Sequence, residues 1–160
     1  MTSLAALARR VGSRLKARGL KLATAESCTG GWIAQAITSI AGSSEWFERG
    51  FVTYSNDSKR EMLGVRAATL ARHGAVSEAT AREMATGALK RSRAQISVAV
   101  TGVAGPGGGT RKKPVGMVCF AWAVKKGDAH SAVRRFRGGR ESVRRQSVAA
   151  ALQGLLQRLG

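Results

Sequence analysis

The chain of 160 residues has the length of one ordinary domain, and its hydrophobic fraction of 44% excludes an intrinsically disordered chain. No apolar run approaches the roughly 20 residues that a membrane-spanning helix needs, and the N-terminal segment lacks the apolar stretch of a secretory signal. Cys28 and Cys119 are the only cysteines, and they form no CxxC motif. We therefore expect no zinc site, no disulfide framework and a cytoplasmic location.

The net charge of +18 comes from 27 Lys and Arg residues against 9 Asp and Glu residues. Such an excess indicates a polyanionic partner such as nucleic acid, an acidic small substrate, or only a basic solvated surface. Aromatic residues make up 5% of the chain, too few for the basic and aromatic pattern of a single-strand-binding protein. Because Asp57 and Asp128 are the only aspartates, a multi-carboxylate metal site is also disfavoured.

Hydrophobic periodicity predicts alternating helices and strands in the first half of the chain. In chain order these are a helix over 4–18, a strand over 20–25, a helix over 32–40, a strand over 51–54 and a helix over 59–63. Gly19 ends the first helix, and the polar turn at 55–58 carries side chains that can cap the last one.

The second half of the chain continues the alternation and ends in a long amphipathic helix. In chain order it contains a helix over 80–89 capped by Ser77, a strand over 96–100, a strand over 115–124, a strand over 129–136 and a helix over 141–159. The turn at 125–128 joins the last two strands as a hairpin. This order predicts an α/β fold, a three-layer α/β/α sandwich on a mixed β-sheet, in a single domain over residues 1–160.

Two loops rich in small residues, Glu26–Gly31 and Thr101–Thr110, follow predicted strands. In α/β folds, ligands bind where loops leave the C-terminal ends of strands. The first loop leads into a helix, so its backbone N–H groups at Thr29, Gly30 and Gly31 are candidates for binding an anion or an oxyanion. A tight strand-to-helix turn capped by Thr29 explains the same spacing.

The second loop is rich in glycine but matches neither the P-loop nor the dinucleotide-binding fingerprint. It is either a phosphate cradle of another kind or a surface loop. The basic residues Arg111, Lys112 and Lys113 follow its glycines.

A nucleophile at Ser27 needs a base, and histidine is a poor candidate for that role. His73 and His130 are the only histidines, neither lies near these loops in the sequence, and no GxSxG motif occurs. Lys59 follows a strand and a turn, and a desolvated lysine there has a lowered pKa and can deprotonate Ser27. Tyr54, the only tyrosine, can orient that proton. A solvated lysine at a helix start is the plainer interpretation.

Several segments occur together in a characteristic order: Ala25–Gly31, Gly50–Asn56 with Lys59, Leu63–Val65, His73–Ser77, and Thr101–Pro106 with Lys113–Gly116. Over nearly the whole chain they resemble the nicotinamide-nucleotide amidase family, also called the CinA C-terminal domain family. The chain departs from the family at Gly107, where members often carry an acidic residue, and at Arg111 and Lys112, which add positive charge. It lacks the separate N-terminal domain of longer members, so we expect the stand-alone form.

The resemblance implies the deamidation of nicotinamide mononucleotide to nicotinate mononucleotide and ammonia, in pyridine-nucleotide salvage. It implies a serine nucleophile and a lysine base, which by motif position are Ser27 and Lys59, with Tyr54 nearby. We expect a small-molecule substrate, no metal and no cofactor. We also expect a homo-oligomer such as a dimer, no membrane partner and no specific nucleic acid.

The same resemblance assigns substrate binding to the glycine-rich loop, at Thr101, Gly105 and Gly107, in addition to the first loop. Arg140 is assigned to the substrate phosphate, because a corresponding arginine recurs in the family. A solvated Arg140 is the alternative.

Two rival hypotheses stay open on the sequence. The first keeps the scaffold but makes Cys28 the nucleophile, because a thiolate is favoured at a helix N-terminus. The second is a basic nucleic-acid-binding α/β module without enzymatic activity, suggested by the net charge of +18.

Overall fold

The computed structural model describes residues 2–160. Its strands are β1 (Leu22–Glu26), β2 (Phe47–Val52), β3 (Ile96–Gly102), β4 (Met117–Val124) and β5 (Ala129–Arg135). Its α-helices are α1 (Leu4–Ala17), α2 (Trp32–Thr38), α3 (Asn56–Leu63), α4 (Ala67–His73), α5 (Glu78–Lys90) and α6 (Arg140–Leu159). None of the helices within residues 2–160 has both the length and the apolar character needed to cross a membrane.

The five strands form one sheet in the order β2-β1-β3-β4-β5. β1 lies between β2 and β3 and runs parallel to both, whereas β4 and β5 form the predicted antiparallel hairpin. The sheet is therefore mixed, as the sequence predicts. Because Glu26 at the end of β1 pairs with Val100 near the end of β3, the loops after these two strands leave the same edge of the sheet.

Helices cover both faces of the sheet, and the side chains of β4 show how the two faces differ. Val118, Phe120 and Trp122 belong to the core shared with α1, α2 and α6. Cys119 and Ala121 alternate with them and belong to the core shared with α5. The second face carries small side chains, so α5 packs close to the sheet. These two cores confirm the predicted three-layer α/β/α sandwich.

Two elements differ from the sequence prediction. β2 begins at Phe47, before the predicted start at residue 51, because an edge strand tolerates polar residues such as Glu48 and Arg49. α4 was not among the predicted helices. It is seven residues long, and Thr69 is its only buried residue, so it lacks an extended apolar stripe.

Candidate active site

A cavity of about 280 Å³ lies at the sheet edge where β1 and β3 end. Its lining consists of Ser27, Cys28, Tyr54, Lys59, Ala75, Val76, the segment 101–105, Gly107, Gly108 and Arg140. Every site residue predicted from the sequence lines this cavity, except Thr29, Gly30 and Gly31. Among the described residues, the lining includes two basic side chains, Lys59 and Arg140, and no carboxylate.

Ser27 and Lys59 are in direct contact inside this cavity. The Nζ of Lys59 donates a hydrogen bond of 2.9 Å to the Oγ of Ser27. Ser27 follows β1, and its N–H bonds to the carbonyl of Val100 on β3, which fixes its backbone. Lys59 lies on the buried face of α3 with Leu63, one turn further along. The fold therefore brings together two residues that are 32 positions apart.

The environment of Lys59 favours a neutral amine. The side chain is 1% exposed, and burial lowers its pKa from the ordinary lysine value. Nζ also donates to the carbonyl oxygens of Thr53 at 2.9 Å and Tyr54 at 3.4 Å. A neutral amine has two N–H groups and one lone pair. The ammonium form donates to Ser27 and to both carbonyls. Once Nζ has lost one proton, the two carbonyls keep the remaining N–H groups, and the lone pair faces Ser27 and can accept its hydroxyl proton.

Cys28 also lines the cavity, but its environment disfavours a nucleophilic role. Burial is the largest influence on this thiol and raises its pKa to about 12. The thiol is therefore protonated at neutral pH, and a protonated thiol is a poor nucleophile. This observation favours Ser27 over the rival assignment.

The three predicted anion-binding residues of the turn after Ser27 lie outside the cavity. Thr29, Gly30 and Gly31 line a separate shallow pocket beside Trp32 and do not reach the cavity. The N–H of Gly30 is occupied, because it donates to the carbonyl of Ser27 at 3.0 Å. The Gly30 N–H is therefore not available to a ligand, and the anion site expected at this turn stays a prediction.

Glu26 lies beneath this turn and binds the start of α2, and sequence reasoning gave it no role. Its carboxylate is 1% exposed and accepts hydrogen bonds from the Thr29 hydroxyl at 2.6 Å, from the Ile33 N–H at 2.8 Å and from the Ala34 N–H at 3.1 Å. It therefore caps the start of α2 from inside the protein. An acid at the end of an apolar strand, directly before a small-residue turn, was the signal for this role.

Arg144 on α6 holds the same turn from the other side. Its Nε donates to the carbonyl of Cys28 at 3.0 Å and its Nη2 to that of Thr29 at 3.1 Å. The guanidinium also lies over the ring of Trp32, 5.5 Å from its centroid. Arg144 lies one helical turn after Arg140, and that spacing was the signal that the two arginines share a face.

Arg140 and Tyr54 are linked at the mouth of the cavity. The Nη1 of Arg140 donates to the carbonyl of Gly105 at 2.8 Å, and its Nη2 donates to the hydroxyl of Tyr54 at 3.1 Å. Tyr54 contacts Lys59 through its backbone carbonyl, whereas its exposed ring carries the hydroxyl toward Arg140. Both described partners of the guanidinium are neutral.

The glycine-rich loop is fixed at its start and open at its tip. The hydroxyl of Thr101 donates to the carbonyl of Ala75 at 2.9 Å. Gly105 has a φ of +87°, and a Cβ there would lie 2.5 Å from Val115, so only glycine fits. Gly107 has open space around it, and this loop therefore leaves room for a ligand at that point.

Comparison with known proteins identifies the family. A family model described as the CinA C-terminal domain matches residues 4–159. The chain belongs to this family. The nicotinamide-nucleotide amidohydrolase PncC of Escherichia coli K12 is 57% identical over 156 residues, which are 98% of this chain and 94% of that protein. PncC of Pseudomonas putida is 51% identical over 160 residues, which are 98% of each chain.

Solved structures agree with this assignment to the CinA C-terminal domain family. The competence/damage-inducible protein of Agrobacterium tumefaciens is 50% identical and has a TM-score of 0.94, with 98% of both chains covered. A CinA superfamily protein of Klebsiella pneumoniae is 44% identical and has a TM-score of 0.95, covering 99% of this chain and 98% of that one. The predicted family and fold class are confirmed.

Proposed function

We propose that this protein hydrolyses the carboxamide of nicotinamide mononucleotide, giving nicotinate mononucleotide and ammonia. The observation that carries the proposal is the contact of 2.9 Å between Lys59 and Ser27 inside a cavity whose lining has no carboxylate. Relatives that match the chain nearly end to end are named nicotinamide-nucleotide amidohydrolases. An anionic mononucleotide is a suitable substrate for such a cationic cavity.

In the first half-reaction, neutral Lys59 accepts the hydroxyl proton of Ser27 while the serine oxygen attacks the carboxamide carbon. The tetrahedral intermediate collapses as the lysine ammonium protonates the amide nitrogen, so that the C–N bond breaks and ammonia leaves. The product is an ester between Ser27 and the pyridine acyl group, and Lys59 is neutral again.

In the second half-reaction, water attacks the ester and Lys59 accepts its proton. The intermediate collapses toward the serine oxygen, which regains the proton from Lys59. Nicotinate mononucleotide is formed as the carboxylic acid and loses its remaining proton to solvent, giving the carboxylate. The two carbonyls of Thr53 and Tyr54 hold the amine in place through both halves, which keeps its lone pair directed at Ser27.

The remaining roles in this proposal belong to other groups that line the cavity. Arg140 binds the substrate phosphate, because its described partners are neutral oxygens that leave its charge available. The oxyanion is assigned to the backbone N–H groups of Gly105, Gly107 and Gly108 in the glycine-rich loop, since those of Ile33 and Ala34 at the start of α2 are bonded to Glu26. Tyr54 orients Arg140 through its hydroxyl and Lys59 through its carbonyl.

Ammonia release from nicotinamide mononucleotide tests the proposal directly. The purified protein is incubated with the substrate in metal-free buffer, and nicotinate mononucleotide is identified by its mass. We expect stoichiometric formation of both products. Turnover of other carboxamides with none of the mononucleotide would show that the substrate is wrong, while the Ser27–Lys59 chemistry would remain.

A further inference from the structure

The tip of the glycine-rich loop presents two cationic side chains to solvent. The N–H of Thr110 donates to the carbonyl of Lys113 at 2.8 Å, and the N–H of Lys113 donates to the hydroxyl of Thr110 at 3.0 Å. These bonds close a tight four-residue turn with Arg111 and Lys112 at its centre. Both central residues are exposed, as the middle positions of such a turn generally are.

This cationic turn, residues 110–113, is held beside the cavity by both of its ends. On one side, Gly108 lines the cavity, and Arg111 follows only three residues later. Three residues span at most about 11 Å between Cα atoms, so Arg111 lies within that distance of the cavity wall. On the other side, the ammonium of Lys113 donates to the carbonyl of His73, two residues before Ala75 of the lining.

The positive charge at this mouth is not neutralised by the described contacts. Lys113 bonds to a neutral carbonyl, and Arg140 bonds to a carbonyl and a phenol. No carboxylate is among the residues that line the cavity. Exposed charges about 10 Å apart are largely screened at physiological salt, where the Debye length is about 8 Å, but they interact at low salt, where it reaches about 30 Å. An entering ligand therefore meets the field of several cations.

We propose that Arg111 and Lys112 act as an electrostatic selector that favours the mononucleotide over its riboside. The inference rests on the proposed function. The mononucleotide carries one positive pyridinium ring and a phosphate of about two negative charges, whereas the riboside keeps only the positive ring. The cationic turn attracts the first and repels the second. Its two side chains are thus specificity determinants that do not touch the reacting atoms.

A pair of double variants tests the selector. Arg111→Gln with Lys112→Gln removes two positive charges at the mouth. Lys125→Gln with Lys126→Asn removes the same charge at the exposed turn between β4 and β5, at the opposite end of the sheet. Asparagine is chosen at position 126 because this residue has a φ of +64°, which asparagine tolerates. The value of kcat/KM is measured for both substrates, at low and high salt.

For Arg111→Gln with Lys112→Gln, the mouth variant, we expect kcat/KM toward the mononucleotide to fall about threefold to tenfold at low salt. The value of kcat should be unchanged, and the loss in kcat/KM should become smaller as salt rises. The kcat/KM of this variant toward the riboside should equal or exceed that of the unsubstituted protein. If turnover of the riboside is too slow to measure, its inhibition constant is compared instead. The remote variant should change neither value.

Three results would overturn the selector: equal losses for both substrates, equal effects from the remote variant, or a loss that salt does not alter. An unsubstituted protein that releases no ammonia from the mononucleotide would instead reject the proposed function. The two failures are thus distinguishable in the same experiment.

Discussion

At the scale of single residues, Ser27 and Cys28 offer two adjacent nucleophiles in one cavity, and their environments separate them. Ser27 accepts a hydrogen bond from Lys59, whereas burial raises the pKa of Cys28 to about 12. We expect Ser27→Ala to abolish ammonia release and Cys28→Ser to preserve most of it. Ammonia release under identical conditions measures both variants. The reverse pattern would transfer the nucleophilic role to Cys28.

The assignment of Lys59 as the base predicts the direction in which kcat/KM changes with pH. Lys59 must be neutral to accept a proton, so kcat/KM should rise with pH as the amine loses its proton. Burial lowers the pKa of Lys59, so the plateau should be reached below the ordinary lysine value of about 10.4. The rate profile of the unsubstituted protein shows this step. A profile that begins to rise only near the ordinary lysine pKa would contradict it.

Lys59→Met tests the same assignment through activity and stability together. The sequence suggested a solvent-facing or crevice lysine, but the side chain is buried, so methionine replaces a desolvated amine without opening a cavity. We expect activity to be lost and the fold to be kept. Turnover within about tenfold of the unsubstituted protein, or about 1.4 kcal/mol of barrier, would reject the lysine base.

The difference in stability between the unsubstituted protein and Lys59→Met should depend on pH in a definite direction. Because the folded pKa of Lys59 lies below the unfolded one, the folded chain holds fewer protons than the unfolded chain between those two values. The stability of the unsubstituted protein relative to Lys59→Met should therefore rise with pH across that window. Denaturant unfolding at several pH values measures the difference, and a flat difference would mean that the lysine pKa is not lowered.

At the scale of elements, α6 reaches the nucleophile turn through Arg144. Losing its two hydrogen bonds and its stacking on Trp32 should loosen the turn that carries Ser27. We expect Arg144→Ala to lower kcat by about tenfold or more, since small displacements of reacting groups are costly. KM should change little, and Arg144→Lys should recover part of the loss.

A matched control for Arg144 lies on the same helix. Arg158 also bonds a carbonyl, that of Gly154, and lies over the ring of Trp122, but far from the cavity. Arg158→Ala should lower the melting temperature in a similar way and leave kcat unchanged. If both variants lose activity in proportion to stability, Arg144 has only a structural role.

The same elements show how much the sequence can predict. Composition and length located the buried strands, such as β3, because a short apolar run rich in β-branched residues and followed by glycines favours a strand over a helix. They missed the start of β2 because pairing with β1 overrides the polar composition of an edge strand. Motif resemblance predicted the pair Ser27 and Lys59, which the fold brings into contact. It gave no role to Glu26, whose buried carboxylate binds the Thr29 hydroxyl and the start of α2 through contacts that no spacing rule reveals.

At the scale of the whole molecule, the net charge of +18 has to be explained. A fixed cationic mouth around the cavity explains only part of it, since other Lys and Arg residues lie far from the site. None of the helices within residues 2–160 carries the base-reading pattern of a known DNA module. The homo-oligomer expected from the sequence stays a prediction, and so does the absence of a specific nucleic-acid partner.

The charge leads to a prediction about nucleic acid. If it serves only as surface composition and substrate steering, DNA binding should be weak and unselective, and should fall steeply with salt, because counterion release supplies essentially all of the affinity. Over the same salt range, kcat/KM toward the mononucleotide should decline while kcat changes little, since screening acts on encounter and not on the bound complex. An anisotropy titration with duplex and single-stranded DNA, run beside the kinetics, measures both. Submicromolar, sequence-selective binding near about 150 mM salt would establish a nucleic-acid partner, because non-specific binding under those conditions typically has a Kd of about 10⁻⁴ to 10⁻⁶ M.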